Sequence, residues 1–131
     1  MDCPDCDNET VAFVVPDDLH EYVPGDETAV ALCSHCLALH PVPEGDTASA
    51  ADFDRVSAVF PTNAAAVPMA LAVGLLESLA VYRSEIEALL GRVERAGTDP
   101  LLVLDRLAAD PDLDPQVDLP RRRQQLQNVR E

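Results

Sequence analysis

"MDCPDCDNET" (residues 1–10) and "ALCSHCLALHP" (residues 31–41) decide the fold of this chain, because each stretch contains a CxxC pair. Cys3 and Cys6 are separated from Cys33 and Cys36 by 26 residues. A two-residue spacer lets both sulfurs of a tight turn face one ion, and two such turns complete the four-thiolate tetrahedron that zinc prefers. The spacing therefore predicts one Zn²⁺ per chain, bound by all four cysteines.

The same four cysteines are open to other chemistry. Disulfides are disfavoured in a reducing cytosol, and a thioredoxin-like redox site needs a single CxxC at a helix N-terminus within a βαβ unit. Rubredoxin-like iron uses the same thiolates, so the spacing does not separate iron from zinc. Four cysteines also close the shell that a catalytic zinc leaves open. The site is therefore predicted to be structural, with His20, His35 and His40 as solvated or outer-shell residues.

The residue after each CxxC pair decides how the turn closes. Metal-binding turns of this type usually carry a glycine there, and Asp7 and Asn8 tolerate a left-handed conformation better than most residues. Leu37 follows the second pair and suits that conformation less well. Leu37 thus departs further from the residue pattern than Asp7 and Asn8 do, which concerns the geometry of the second turn and not its ligands.

The residues between the two pairs have the composition of strands. "TVAFVVP" (residues 10–16) is β-branched and aromatic, and "HEYVPGDETAVAL" (residues 20–32) predicts a hairpin with Pro24 and Gly25 at the centre of a type II turn. A small antiparallel sheet with a cysteine turn at each end is a zinc ribbon, which we place at residues 1–43. Such a unit cannot fold on its own core, so metal binding would supply its folding energy.

A helical unit is predicted at residues 52–131, after a linker at 44–51 that is rich in Pro, Gly and acidic residues. Apolar residues with a helical period predict helices at about 52–60, 66–96, 100–109 and 119–130. Asp99 is the expected N-cap of the third helix, and Pro100 suits its first position.

The long helix at 66–96 is the expected centre of the helical unit. Pro68 lies near its first turn, and Gly97 is its stop signal. An apolar seam with steps of three and four residues offers a surface for packing or for a homodimer. The seam residues are Leu75, Leu79, Tyr82, Ile86, Leu89 and Val93.

The charge is strongly negative, and lysine is absent. Asp and Glu number 24 against nine arginines, which gives a formal net charge of -15. Such surfaces suit a cytoplasm of molar salt, where screening over about 3 Å removes self-repulsion, so we expect a halophilic protein. The first 50 residues hold 11 acidic residues and no Lys or Arg. Since phosphate contacts need cations, nucleic-acid binding by the ribbon is not expected.

Arginine is concentrated at one place, the run Arg121, Arg122 and Arg123. This run could contact an anionic partner or neutralise nearby acidic residues such as Asp112, Asp114 and Asp118, and the second interpretation is favoured. It is the only basic cluster from which the chain could approach a nucleic acid.

Motifs of enzymes and of membrane proteins are missing from the sequence. There is no glycine-rich phosphate loop, no HExxH and no defensible Ser-His-Asp arrangement. The uncharged run at 64–76 is shorter than the ~18 to 20 residues of a spanning helix, and the N-terminus lacks the basic and apolar regions of a signal peptide. We therefore expect a cytoplasmic, non-enzymatic protein with no membrane association.

"MDCPDC", "ALCSHCLALHP" and "DPLLVLDRLAADPDLDP" followed by "DLPRRRQQL" resemble a family of small haloarchaeal zinc-ribbon proteins of unknown function. The resemblance covers essentially the whole chain. It implies a haloarchaeal cytosolic protein with the four cysteines as metal ligands, and it implies no activity.

These observations predict an α+β protein, with an N-terminal antiparallel four-cysteine zinc ribbon followed by a helical unit built on one long helix. The leading hypothesis for its function is a protein-interaction or adaptor module with an unknown protein partner and a structural zinc. A transcription- or RNA-associated zinc-ribbon protein is the first alternative, and rubredoxin-like electron transfer is the second.

The charge predicts that stability depends on salt. In dilute buffer the acidic surface repels itself, so the melting temperature should rise between about 0.1 M and 3 M KCl, as measured by circular dichroism at constant pH. A melting temperature that stays the same over this range would contradict the halophilic interpretation.

Overall fold

The computed structural model describes residues 3–23, 28–42 and 53–130. Within these ranges it is a mixed α+β protein with one small antiparallel sheet and several helices, as the sequence predicts. The strands are β1 (Thr10–Val14), β2 (Ala29–Cys33) and β3 (Leu39–Pro41). The α-helices are α1 (Ala66–Leu75), α2 (Arg83–Arg95), α3 (Pro100–Ala108) and α4 (Leu119–Arg130).

The sheet brings the two cysteine turns together. β2 lies in the middle, antiparallel to both β1 and β3. The register pairs Thr10 with Cys33. The first cysteine turn comes just before β1 and the second begins at the end of β2, so both turns lie at the same end of the sheet.

The predicted hairpin at 20–32 is wrong in its first half. Residues Asp17–Tyr22 form a 3₁₀ helix after Pro16, and the chain reaches β2 only at Ala29. In a 3₁₀ helix, residues three apart share a face, so Leu19 and Tyr22 both turn toward the core, where Leu19 is buried. The predicted turn at Pro24 and Gly25 lies outside the described residues.

The predicted single helix at 66–96 is also wrong. α1 ends at Leu75, a 3₁₀ turn follows at Leu76–Ser78, and α2 starts at Arg83 and packs against α1. One helix over this stretch would be about 45 Å long, with an apolar first half exposed on all sides. Folding back buries that half against α2 and the sheet, which outweighs the local preference for a continuous helix.

The predicted helix at 52–60 is reduced to a 3₁₀ turn at Phe53–Arg55, followed by further turns. Ser57 accounts for the interruption, because its hydroxyl donates to Asp110 at 2.7 Å and accepts from the amide of Val59 at 3.3 Å. A serine with such local bonds competes with helical hydrogen bonding. The predicted linker at 44–51 lies outside the described residues.

The predicted stop signal after α2 and the predicted start of α3 are confirmed. Gly97 has a φ of 93°, and the amides of Gly97 and Thr98 donate to the carbonyls of Glu94 and Val93, which is a Schellman motif. Asp99 caps α3 by accepting from the amides of Leu101 and Leu102, with Pro100 as the first helical residue.

The sheet and the helices share one hydrophobic core. Apolar residues of β1 and β2 belong to the same buried cluster as those of all four helices. Phe53 joins the two parts, since its ring lies 5.3 Å from that of Phe13 on β1 and 5.4 Å from that of Phe60. The cysteine turns are thus attached to a core far larger than the sheet itself could provide.

The apolar seam predicted for a homodimer is occupied within the chain. Leu75, Leu79, Ile86, Leu89 and Val93 are all buried, and Tyr82 packs against the same core. The seam is therefore not a free surface for a second copy.

Among the described residues, no helix has the length and apolar character needed to span a membrane.

Gly74 provides a test of how α1 packs on β3. A Cβ at this position would lie 2.5 Å from Leu39 Cβ, whereas a Cβ at Gly91 on α2 would meet only the Arg95 side chain, at 3.5 Å. Gly74→Ala should lower the free energy of unfolding by about 1–3 kcal/mol through overpacking. Gly91→Ala should leave it unchanged or raise it by up to about 1 kcal/mol, because alanine favours the helix. Urea denaturation at constant salt measures both, and a fully stable Gly74→Ala variant would contradict the packing.

Candidate metal centre

The four cysteine sulfurs form a cluster of the size of a single-ion site. Cys6 Sγ lies 3.4 Å from Cys33 Sγ, and Cys3 Sγ lies 3.7 Å from Cys36 Sγ. All four sulfurs are within 4.8 Å of one another. Thiolates about 2.3 Å from a tetrahedral ion are ~3.8 Å apart, so the cysteines are close enough to bind one metal ion together.

Both cysteine turns have a left-handed residue directly after the second cysteine. Asp7 and Leu37 each have a φ of 62°. In the first turn the Asp7 amide donates to the Cys3 carbonyl at 2.8 Å. The two turns are therefore alike in this respect, although a leucine stands in the second turn where glycine is usual. A left-handed leucine costs about 1–2 kcal/mol, and burial of its side chain in the shared core compensates for that cost.

Neutral N–H groups donate hydrogen bonds to two of the four sulfurs, those of Cys33 and Cys6. The amides of His35 and Cys36 donate to Cys33 Sγ at 3.4 and 3.3 Å, and the side-chain amide of Asn8 donates to Cys6 Sγ at 3.3 Å. Such bonds favour the thiolate over the thiol. Asn8 was predicted only for its backbone tolerance, and no sequence signal marks its side chain as a partner of a sulfur.

The thiols differ in acidity. The side-chain hydrogen bond from Asn8, followed by the backbone hydrogen bond at the same residue, lowers the pKa of Cys6 to about 6. Burial raises the pKa of Cys33 and of Cys36 above their ordinary values. Since a metal binds the thiolates, loading the site must displace protons from the two buried thiols, so metal affinity should fall as pH falls.

The three histidines occupy different surroundings. His20 is hydrogen-bonded to the Val15 carbonyl at 2.8 Å, away from the cysteines. His40 Nε2 lies 3.6 Å from Cys3 Sγ, which places His40 against one member of the cluster. His35 Nδ1 faces the carbonyl of Asp112 at 3.0 Å and so links the second cysteine turn to a distant part of the chain. The prediction treated His35 and His40 as solvated or outer-shell residues, and the specific partners of both were missed.

His40 also belongs to a second group of metal-binding side chains. Its Nε2 lies 3.5 Å from Asp5 Oδ2, and Cys3, Asp5 and His40 are mutually close enough to share an ion. Cys3 is common to both groups. The four-sulfur group is the more buried of the two, because Asp5 is exposed.

The arginine run at 121–123 has partners within the chain. Arg123 Nε lies 3.1 Å from Asp105, and Arg122 donates to Gln125 at 2.9 Å. Asp118 accepts from the amide of Arg121 at 3.1 Å and so caps α4. The run thus serves the packing of α4, although its carboxylate partner is on α3 and not among the acidic residues suggested by the sequence.

The chain belongs to the family described as "Family of unknown function (DUF6276)", whose model matches residues 2–130. No curated protein and no solved structure matches the chain.

Exposure predicts which cysteine reacts first. Cys6 is half-buried, whereas the other three cysteines are at most 5% exposed. With iodoacetamide at limiting concentration on the metal-loaded chain, Cys6 should be alkylated before the others, because reagents reach its sulfur first. Peptide mass spectrometry gives the order, and equal labelling of the four cysteines would contradict this geometry.

Proposed function

We propose that the chain binds one zinc ion through Cys3, Cys6, Cys33 and Cys36, and that this ion is the structural centre of a non-enzymatic protein-interaction module. The single observation that carries the proposal is the cluster of four sulfurs at single-ion spacing. Four thiolates saturate a tetrahedral ion, so no position remains for water or a substrate. A closed site of this kind stabilises a fold and does not perform hydrolysis.

The size of the sheet supports a structural role for the metal. Three strands of five, five and three residues are too short to fold alone. The cysteine turns also hold two residues in a left-handed conformation, and one of these is a leucine. Metal–thiolate bonds would stabilise these backbone conformations in addition to the burial of Leu37.

The charge distribution supports a protein partner over a nucleic acid. The ribbon has no cation of its own, and two arginines that approach it are paired with its carboxylates: Arg55 with Glu9, and Arg92 with Asp18 at 2.5 Å. The Arg92 guanidinium holds the pKa of the Asp18 carboxyl below its usual range, which favours the charged form of the pair. Phosphate binding needs unengaged cations on one face.

The acidic, lysine-free surface supports a setting of high salt. At molar salt the screening length is about 3 Å, so a net charge of -15 no longer opposes folding or association. Contacts with a partner under these conditions must come from apolar packing and short hydrogen bonds. We accordingly place the protein in a cytoplasm of high salt concentration.

Metal content and one substitution test the zinc proposal. Native mass spectrometry at neutral pH should show one zinc per chain, and Cys33→Ser should lose the metal and the folded ribbon. Ser34→Ala is the matched control, because it removes only a hydroxyl bonded to the Glu9 carbonyl and should keep both. A folded, metal-free Cys33→Ser variant would contradict the structural role, and iron with a visible thiolate band would favour electron transfer.

Affinity purification at 3 M KCl tests the interaction proposal. The tagged wild-type chain should retain a protein partner after nuclease treatment, and the Cys33→Ser variant should lose it. Loss of all binding on nuclease treatment would favour the transcription- or RNA-associated alternative.

A further inference from the structure

The segment between α3 and α4, residues 110–117, lies against the second cysteine turn, and we name it the strap. Its Asp114 amide donates to the His35 carbonyl at 2.9 Å, and its Gln116 amide donates to the Cys36 carbonyl at 3.2 Å. His35 Nδ1 donates in the opposite direction, to the Asp112 carbonyl at 3.0 Å. Three hydrogen bonds thus join the strap to the second cysteine turn, which carries two of the four sulfurs. The strap and the turn are about 80 positions apart in the sequence.

Both ends of the strap are fixed by side chains. Asp110 accepts from Ser57 Oγ at 2.7 Å and from the Asp112 amide at 2.9 Å, so the strap begins from an anchored position. At its other end, Asp118 caps α4, whose Leu119 is buried. Movement of the strap away from the cysteine turn would therefore pull on the packing of α4.

Pro115 suits this arrangement. The donors toward the turn are at positions 114 and 116, and Pro115, which has no amide hydrogen, lies between them. Proline at this position therefore removes neither hydrogen bond to the turn.

We propose that the second cysteine turn is the docking site of the strap, that metal binding and strap docking are thermodynamically linked, and that His35 is the positioning residue that couples them. The proposal rests on the metal site proposed above. The carbonyls of His35 and Cys36 have their directions fixed by a turn whose Leu37 is left-handed and whose amides donate to Cys33 Sγ. Metal on the sulfurs holds that conformation, and its loss lets the turn relax and misdirects both carbonyls.

Linkage is reciprocal: if the metal strengthens strap docking, the docked strap strengthens metal binding by the same factor. Couplings of this kind amount to a factor of about 5 to 150. Through the strap, binding or loss of metal at the sulfur cluster thus affects the packing of α3 and α4. His35, which occupies the spacer of the second CxxC pair, is the side chain that makes the contact.

The test uses the full zinc-loaded chain and two measurements: amide hydrogen exchange by NMR, and the rate of zinc transfer to a chromogenic chelator. In His35→Ala, the amides of Asp114 and Gln116 should exchange at least about fivefold faster, and zinc transfer should accelerate by a similar factor. His35→Asn keeps an N–H donor at similar reach, so it should restore both rates toward wild type.

Two further variants separate coupling from general damage. His20→Ala removes a comparable bond from an imidazole to a backbone carbonyl, outside the cysteine turns, and should change neither rate. Gln116→Pro deletes one strap amide without altering the turn, and it should accelerate zinc transfer.

Three results would overturn the proposal. Unprotected Asp114 and Gln116 amides in the zinc-loaded wild type would show that the strap is not docked. Normal zinc transfer in His35→Ala and Gln116→Pro, despite fast strap exchange, would show that docking and metal binding are independent. A wild-type chain that binds no zinc would overturn the proposed metal site as well, and this result is distinguishable because it appears before any substitution is made.

Discussion

Convergence of four sulfurs within 4.8 Å is the constraint on which the rest of this structure depends. It requires the turn before β1 and the turn after β2 to lie side by side, and therefore requires a register that pairs Thr10 with Cys33. A slip of one residue would send the side chains of β1 to the opposite face and move Phe13 out of the core. The sulfur cluster and the hydrophobic face thus specify the same register independently.

The helices provide the buried apolar surface that the sheet alone lacks. One face of three short strands buries too little apolar surface, and α1 supplies more by crossing β3 at Gly74, where only a hydrogen side chain allows so close an approach to Leu39. Ion pairs such as that between Arg92 on α2 and Asp18 in the 3₁₀ helix after β1 then join the two parts at the surface. These exposed ion pairs contribute little to the free energy of folding, and burial in the shared hydrophobic core contributes most to holding the sheet and the helices together.

Local chemistry explains which features could be predicted from the sequence. β1, the cap at Asp99 and the stop at Gly97 each depend on residues within a few positions, whereas the clustering of the cysteines is predicted from the metal chemistry of two CxxC pairs 26 residues apart; these predictions agree with the structure. Gly74 lies one residue before the break after Leu75, but a single glycine within a helical pattern does not by itself predict a helix end, and the break follows from burial of α1 against distant residues. The contact of residues 112–116 with the second cysteine turn is likewise non-local, and a histidine in a CxxC spacer gives no sign of its partner.

The absence of Lys and Arg from the first 50 residues affects how the cysteine site compensates its negative charge. With a divalent ion bound, the four thiolates would carry a net charge of -2, and the first 50 residues contain no Lys or Arg to offset it. Backbone and side-chain N–H groups of His35, Cys36 and Asn8 provide the compensation, since they are aimed at the sulfurs and carry no net charge. Their directions depend on the backbone of each turn, so any contact that holds a turn in shape also stabilises its charge. The segment at 112–116 is such a contact, and compensation by uncharged donors is lost only when the turn itself moves.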